Sequence, residues 1–289
     1  MKTRPMNRTS SPCAWTCPTC GKLVTTRFCA TCGESPVSPR EQTLRGLAER
    51  LFQAFTSIDT KTARSVWTLI RQPGQLTVSW TKGIRKPYVA PITLFLLINV
   101  LFFAVQSLTG GTVFSSPLES HLHHQDWSTF AQSLVTQKLK ASGTTLEGYA
   151  PVFDSAVAVH AKSLIILMTA PFALLLPLVF ARARRPFMTH VVFSLHLYTF
   201  LLLLFCLALL ATWASAWLGF GGLETPAVDK ALSAFNLIAG GVYIYLAAGP
   251  VYDTMGIRRV LQAVLLAIAV AVIVIGYRFA LFLITLSTT

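Results

Sequence analysis

His190-Val-Val-Phe-Ser-Leu-His196-Leu-Tyr-Thr-Phe-Leu-Leu-Leu-Leu-Phe-Cys206-Leu-Ala-Leu-Leu-Ala-Thr-Trp-Ala-Ser-Ala-Trp-Leu218 is an apolar run without one acidic residue. A helix needs about 20 such residues to cross roughly 30 Å of hydrocarbon, so this stretch spans with length left over to tilt or protrude. Four more runs meet the same requirement, at about 89–109, 163–181, 231–249 and 260–284. Composition agrees: the chain is 53% hydrophobic and 12% charged with mean hydropathy +0.59, where a soluble domain carries about 25% charged residues. The expected fold is an all-α transmembrane helical bundle of about five spans over residues 87–289, with an external loop at 110–162. Pro171 and Pro177 each remove a helix hydrogen bond from the second span, which predicts a kink there.

The loops orient this bundle. Arg182, Arg184 and Arg185 lie between spans two and three and Arg258 and Arg259 between four and five, whereas Lys230 meets Glu224 and Asp229 between three and four. Under the positive-inside rule the amino-terminal side faces the cytoplasm and the last span ends outside. Arg278, near the outer end of that span, is expected to snorkel to the interface. In the external loop, Trp127, Phe130, Leu134 and Leu139 form a helical stripe suited to the membrane surface, while Gly110-Gly111 and Ser142–Thr145 read as flexible.

The net charge of +13 is concentrated at one end: 14 of 24 Lys and Arg precede residue 87, against four acids. That resembles a nucleic-acid signature, but a basic flank held against anionic lipid accounts for it equally. The first long apolar run begins near residue 89, which is not the pattern of a cleavable signal peptide. Residues 1–12 read as a disordered lead-in. Between 40 and 86, apolar positions recur at helical spacing in three segments: Leu44 to Ile58, about 60–71, and Leu76 to Gly83, with Pro73-Gly74 ending the second. These are juxtamembrane amphipathic helices, either lying in the headgroup layer or packed on the bundle.

Residues 13–35 carry the strongest chemical signal. Cys17-Pro-Thr-Cys20-Gly21 and Cys29-Ala-Thr-Cys32-Gly33 are two Cys-x-x-Cys knuckles separated by eight residues. Thiolates suit a closed tetrahedral zinc site, and the two-residue spacing turns both sulfurs of a knuckle toward one ion. The glycine after each pair fits the left-handed backbone that such a turn tends to need. Two disulfides would use the same residues, but repeated Cys-x-x-Cys pairs in a reducing compartment point to metal, and the strand–helix unit of a redox motif is absent. Cys17, Cys20, Cys29 and Cys32 are therefore expected to bind zinc as a ribbon. Cys13 is a spare, and Cys206 is a small hydrophobe in its span. With only Lys22 and Arg27 as cations between 17 and 33, the ribbon is a poor binder of nucleic acid.

The order of these features, a Cys-x-x-Cys ribbon, Asp59 ahead of Arg64, Pro73-Gly74, then Gly83-Ile84-Arg85-Lys86-Pro87-Tyr88 with Pro91, resembles a bacterial family of membrane proteins known only as domain of unknown function number 3667. His190 to His196, and Tyr252 with Arg258 and Arg259, extend the resemblance over most of 17–260. In that family a second arginine often stands at the Ile84 position and a third histidine at the Tyr198 position, so this chain lacks the full basic cluster and the histidine triplet. The resemblance implies a bacterial inner-membrane location and carries no biochemical activity.

Three other constellations merit weight. Lys82, Arg85, Lys86 and Tyr88 offer cations and an aromatic ahead of a span, which suits either lipid phosphate or a positive-inside anchor. His190 and His196 fall about 240° apart on a regular helix and cannot share a ligand. His196 either lines a path with Asn99 and the Pro171/Pro177 kink or is satisfied by a neighbour, Asn99 or Tyr198. His121, His123 and His124, with Glu119 and Asp126, are a weak external metal pattern. No nucleophile elbow, phosphate loop or His-Glu-x-x-His occurs, and span interiors lack carboxylates. The leading expectation is a non-enzymatic polytopic inner-membrane protein in contact with membrane lipids, whose cytoplasmic zinc ribbon is a structural or partner-docking module. The alternative is a transporter or channel.

Overall fold

The computed structural model describes residues 14–26, 28–34, 60–110, 113–217 and 226–289; the lead-in, the amphipathic segment through Leu44–Ile58, and Asp59 lie outside them. Two short antiparallel strands, β1 (Trp15–Thr16) and β2 (Leu23–Val24), pair Trp15 with Val24. Helices follow: α1 (Thr60–Arg71), α2 (Gln75–Thr81), α3 (Pro91–Thr109), α4 (Leu118–His123), α5 (Ser128–Ser142), α6 (Leu146–Leu164), α7 (Thr169–Val179), α8 (Phe187–Trp217), α9 (Pro226–Tyr252) and α10 (Gly256–Thr288). Helices α3, α8, α9 and α10 are each long and apolar enough to cross a membrane, and the bent pair α6–α7 would make a fifth crossing if it counts as one span.

α8 is the axis of the bundle. It packs along α3, α7 and α9 and touches α1 and α2 at its start. Its buried residues include polar ones, Thr189, His190, Ser194, His196 and Thr199, alongside Phe193, Leu197 and Leu201. The corner between α1 and α2 is cut by Pro73 and Gly74. Gly74 sits at φ +87°, and a Cβ there would lie 2.7 Å from the Ala247 carbonyl of α9, so only glycine lets this corner seat on the bundle. Helix α2 thus packs against α8 and α9, burying Leu76, Thr77 and Ser79. α1 keeps Trp67 and Ile70 exposed and is fastened by Ser65, whose buried hydroxyl accepts the Val89 N–H at 2.9 Å.

The second expected span is longer and more broken than its apolar stretch suggests. The chain is helical from Leu146, passes through a 3-10 turn at Ile165–Met168 and resumes as α7, with a bend of 58° between the halves. The break precedes Pro171, which lies in the first turn of α7, where a missing N–H is tolerated. Despite the bend, the pair descends α10 from one end to the other. Tyr149 bonds Thr289, Tyr277 donates to the Ala161 carbonyl, and Gln262 donates to the Val179 carbonyl. A re-entrant loop would return to the end it started from; this one does not.

Residues 113–162 are largely helical rather than an extended loop; Gly111 lies outside the described residues. They fold into α4, α5 and the first half of α6 as a cap over the end of α10, with Leu118, Leu122, Val135, Phe153 and Val157 packed on Phe282 and Leu286. The stripe read as membrane-facing is used here instead: Trp127 meets the Phe279 ring at 5.4 Å, and Leu134 and Leu139 pack on the cap core. Gly143 and the Thr145 cap, which accepts the Gly148 N–H, make the Ser142–Thr145 stretch a defined turn. Arg278 reaches inward under the cap to Ser116 at 2.7 Å rather than snorkelling free.

At the opposite end Pro250 leaves the Leu246 carbonyl of α9 without its helical donor. Arg259 fills the gap, donating to Leu246 at 2.9 Å and to Tyr245 at 2.5 Å while lying over the Tyr245 ring. Gly249 makes room, since a Cβ there would be 2.7 Å from the guanidinium carbon.

Candidate metal centre and its seat on the bundle

The two knuckles are near copies of one another. Cys17 N–H donates to the Lys22 carbonyl and Gly21 N–H to the Cys17 carbonyl; Cys29 and Gly33 repeat both bonds with Glu34 and Cys29. Gly21 and Gly33 adopt φ of +72° and +69°, the left-handed backbone expected of them. The result is a convergence of four sulfurs, all within 4.8 Å of one another, with Cys17–Cys32 and Cys20–Cys29 each at 3.4 Å and Cys20–Cys32 at 3.8 Å. A tetrahedral ion with metal–sulfur bonds of about 2.3 Å requires sulfur separations of about 3.8 Å, so the set fits such an ion. Four thiolates this close repel one another unless a cation sits among them. The Cys32 and Thr31 N–H groups point at the Cys29 sulfur and hold its thiol down to about 6, against the opposing effect of burial.

Around the sulfurs the apolar core amounts to Val24 with the cysteines themselves and a half-buried Trp15. So small a unit gains little from burial, the circumstance in which a bound ion contributes most to shape.

The headpiece is seated on the segment that joins α2 to α3. Glu34, buried, accepts the Thr19 hydroxyl at 2.7 Å and the Lys86 backbone N–H at 3.0 Å through the same carboxylate oxygen. Lys86 Nζ donates back to the Gly33 carbonyl at 3.2 Å. Gly83 lies against Pro18 of the first knuckle. The basic segment and the knuckles, read separately in the sequence, are thus one assembly, and Glu34 is its staple. Its only sequence signal was that it is the sole acid beside the knuckles.

The remaining predicted residues separate. Of the basic segment, Lys86 serves the headpiece, Tyr88 packs on the bundle core, and Lys82 and Arg85 line a cleft with Trp80 and Arg185. His190 hydrogen-bonds the Tyr252 hydroxyl at 3.0 Å and stacks on its ring, with Phe180 stacked on the other side at 3.9 Å. His196 bonds Thr77 of α2 at 2.8 Å, not Asn99 or Tyr198, because the α1–α2 corner brings α2 against α8. Asn99 is buried with Oδ1 unpartnered, and Pro171 faces outward into a crevice against α10. The histidines of α4 and its end do not converge. His121 is buried between Phe282 and Trp127, whose indole N–H donates to it at 3.3 Å, while His123 pairs with Glu119 on the surface. Among the described residues the four cysteines are the only group of three or more metal-ligating side chains that meet.

No curated protein and no solved structure matches the chain. The family model described as Protein of unknown function (DUF3667) matches residues 59–103, which take in α1, α2, the basic segment and α3. The likeness to that family of unknown function is confined to this region, the one on which the headpiece sits.

Proposed function

We propose that the protein is a non-enzymatic, multi-pass membrane protein of a bacterial inner membrane, whose cytoplasmic headpiece binds zinc and serves as a structural or partner-docking module. The observation that carries this reading is the pair of junctions at one end of the molecule: four converging sulfurs, and a carboxylate tying them to the base of the bundle. Zinc is the natural occupant of a closed four-thiolate tetrahedron, since it has no redox chemistry and no geometric preference of its own to frustrate. Membrane residence is supported by the outward faces of α9 and α10, where Ile238, Val242, Val264, Ile268 and Val272 are exposed. Orientation is supported by charge: Arg185 meets Asp253 beside the end of α2, so the arginine-rich connections share the headpiece end. With α6–α7 as one broken span, five crossings leave the cap and the last residues of α10 outside. No catalytic constellation was recognised in the sequence.

The test is elemental analysis of the purified protein together with pull-down from membranes. One zinc per chain, and partners lost in Cys20→Ser/Cys32→Ser, are expected. A metal-free protein, or partners unchanged in the double variant, would defeat the docking role.

A transport reading draws on one observation: Thr93 Oγ1, Asn99 Oδ1 and Tyr198 OH are buried without partners inside the bundle. It requires water at His196, so His196→Cys would label with a membrane-impermeant thiol reagent; complete protection favours the structural role.

A further inference from the structure

Between the headpiece junction and the start of α8 lies a cleft of about 560 Å³, walled by Val78–Arg85, by Arg185–Thr189 and by Pro250–Asp253. Four charged side chains line it: Lys82, Arg85, Arg185 and Asp253. Asp253 is committed to Arg185 in an ion pair. Lys82 and Arg85 have no carboxylate partner among the described residues, so the cleft holds two uncompensated positive charges.

Arg85 is the more telling of the two. Its guanidinium carbon lies over Trp80, 4.1 Å from the ring centroid, and its Nε is buried with no hydrogen-bond acceptor. A buried N–H of a charged group left without an acceptor is costly, and here the contact with Trp80 holds the guanidinium in place while its Nε stays unmatched. The group complementary to a fixed guanidinium edge is an oxyanion with two oxygens in one plane, a carboxylate or a phosphate. Location selects between them. The cleft lies where α8 begins and α9 ends, at the boundary of the apolar runs, and its rim is apolar: Pro186, exposed, and Met188, which is 60% exposed. Lysine and arginine below an apolar rim at that level match a phospholipid, with phosphate inside and acyl chains along the rim.

We propose that this cleft is a binding site for the phosphate group of an anionic phospholipid, held by Arg85 and Lys82. Lys86 and Tyr88 take no part, being engaged by the headpiece and by the core. The site gives the ribbon end of the molecule a lipid-dependent fixture one turn of chain from the Glu34–Lys86 junction.

The inference rests on the membrane reading, which retention of the chain in alkali-washed membranes tests separately. For the site itself, the full-length protein in neutral detergent is titrated with phosphatidylglycerol, phosphatidylcholine and glycerol phosphate while its thermal midpoint is followed. Phosphatidylglycerol is expected to raise the midpoint saturably, with the other two at least about tenfold less potent. Lys82→Gln and Arg85→Gln should each weaken half-saturation by about tenfold, the value of one charge-assisted contact, and Arg64→Gln, on the exposed side of α1, should not. Lys82 is exposed and bears on no packing, so its variant remains informative if loss of the Trp80 stack unsettles Arg85→Gln. Titrations indistinguishable between the Lys82→Gln variant and the parent would overturn the site. Glycerol phosphate as potent as the lipid would overturn the lipid assignment, as would phosphatidylcholine as potent as phosphatidylglycerol.

Discussion

The two ends of the bundle are closed by opposite means. At one end the headpiece has almost no apolar core; four sulfurs converge in it, and one carboxylate accepts both the Thr19 hydroxyl and the Lys86 N–H. At the other, the cap is closed by rings: His121, Trp127, Phe153, Phe279 and Phe282 pack ring against ring around the last turns of α10. A unit built on coordination is switched as a whole by its ligand, whereas one built on area responds in proportion to what is removed. On the proposed reading the headpiece end is where a change in bound metal would be felt by the bundle, and the cap is a lid held by packed area.

The largest expected effect breaks the first half of that comparison. Chelation, or Cys20→Ser with Cys32→Ser, should abolish the folded headpiece, since structural zinc in units of this size contributes about 10–16 kcal/mol. Limited proteolysis should then cut between Cys17 and Glu34 while the fragment from α1 onward stays resistant. Equal resistance with and without chelator would mean the headpiece has a core of its own. On the other side, Phe282→Ala empties a fully buried ring position in the cap and should cost about 3–5 kcal/mol, read as a lower thermal midpoint with zinc content unchanged.

A smaller effect sharpens the junction. Glu34→Ala strips the acceptor from the Thr19 hydroxyl and the Lys86 N–H, and hydrogen bonds to a charged group are worth about 1.5–3 kcal/mol. Hydrogen exchange should quicken at Lys86 with zinc retained, because the knuckle bonds from Cys29 and Gly33 use backbone atoms. Loss of zinc along with protection would show that Glu34 holds the knuckle rather than the seat.

The repeated knuckles were legible because spacing alone fixes their chemistry, and the long apolar runs because hydrocarbon thickness sets a length. What escaped was tertiary. Glu34 reads as an ordinary surface acid until Lys86, 52 residues on, delivers its N–H. Thr77 has no marker at all; it becomes the partner of His196 because Gly74 alone admits the α1–α2 corner to the α9 backbone. The cap was misread for the same reason: Trp127 and Phe130 form the stripe of a surface helix, and only the length of α10, about 50 Å for its 33 residues, provides a protein surface for them to cover.

The last prediction tests whether the cap is as inert as its packing suggests. His121 is buried against Phe282 and Phe153, and burial, aided by the nearby Arg278 charge, holds its pKa down to about 4 from an ordinary 6.5. Between those values the unfolded chain takes up a proton that the folded cap refuses. Stability contributed by the neutral ring is therefore complete above about pH 6.5 and is lost as pH falls through about 4. The thermal midpoint should drop across that window by an amount equivalent to about 1–2 kcal/mol. His121→Phe keeps a ring against Phe282 while giving up the Trp127 bond, and should flatten the slope even if it lowers the plateau. A slope unchanged in the variant would mean that the folded cap accepts the His121 proton as readily as the unfolded chain does, and that the acid sensitivity of the parent arises elsewhere.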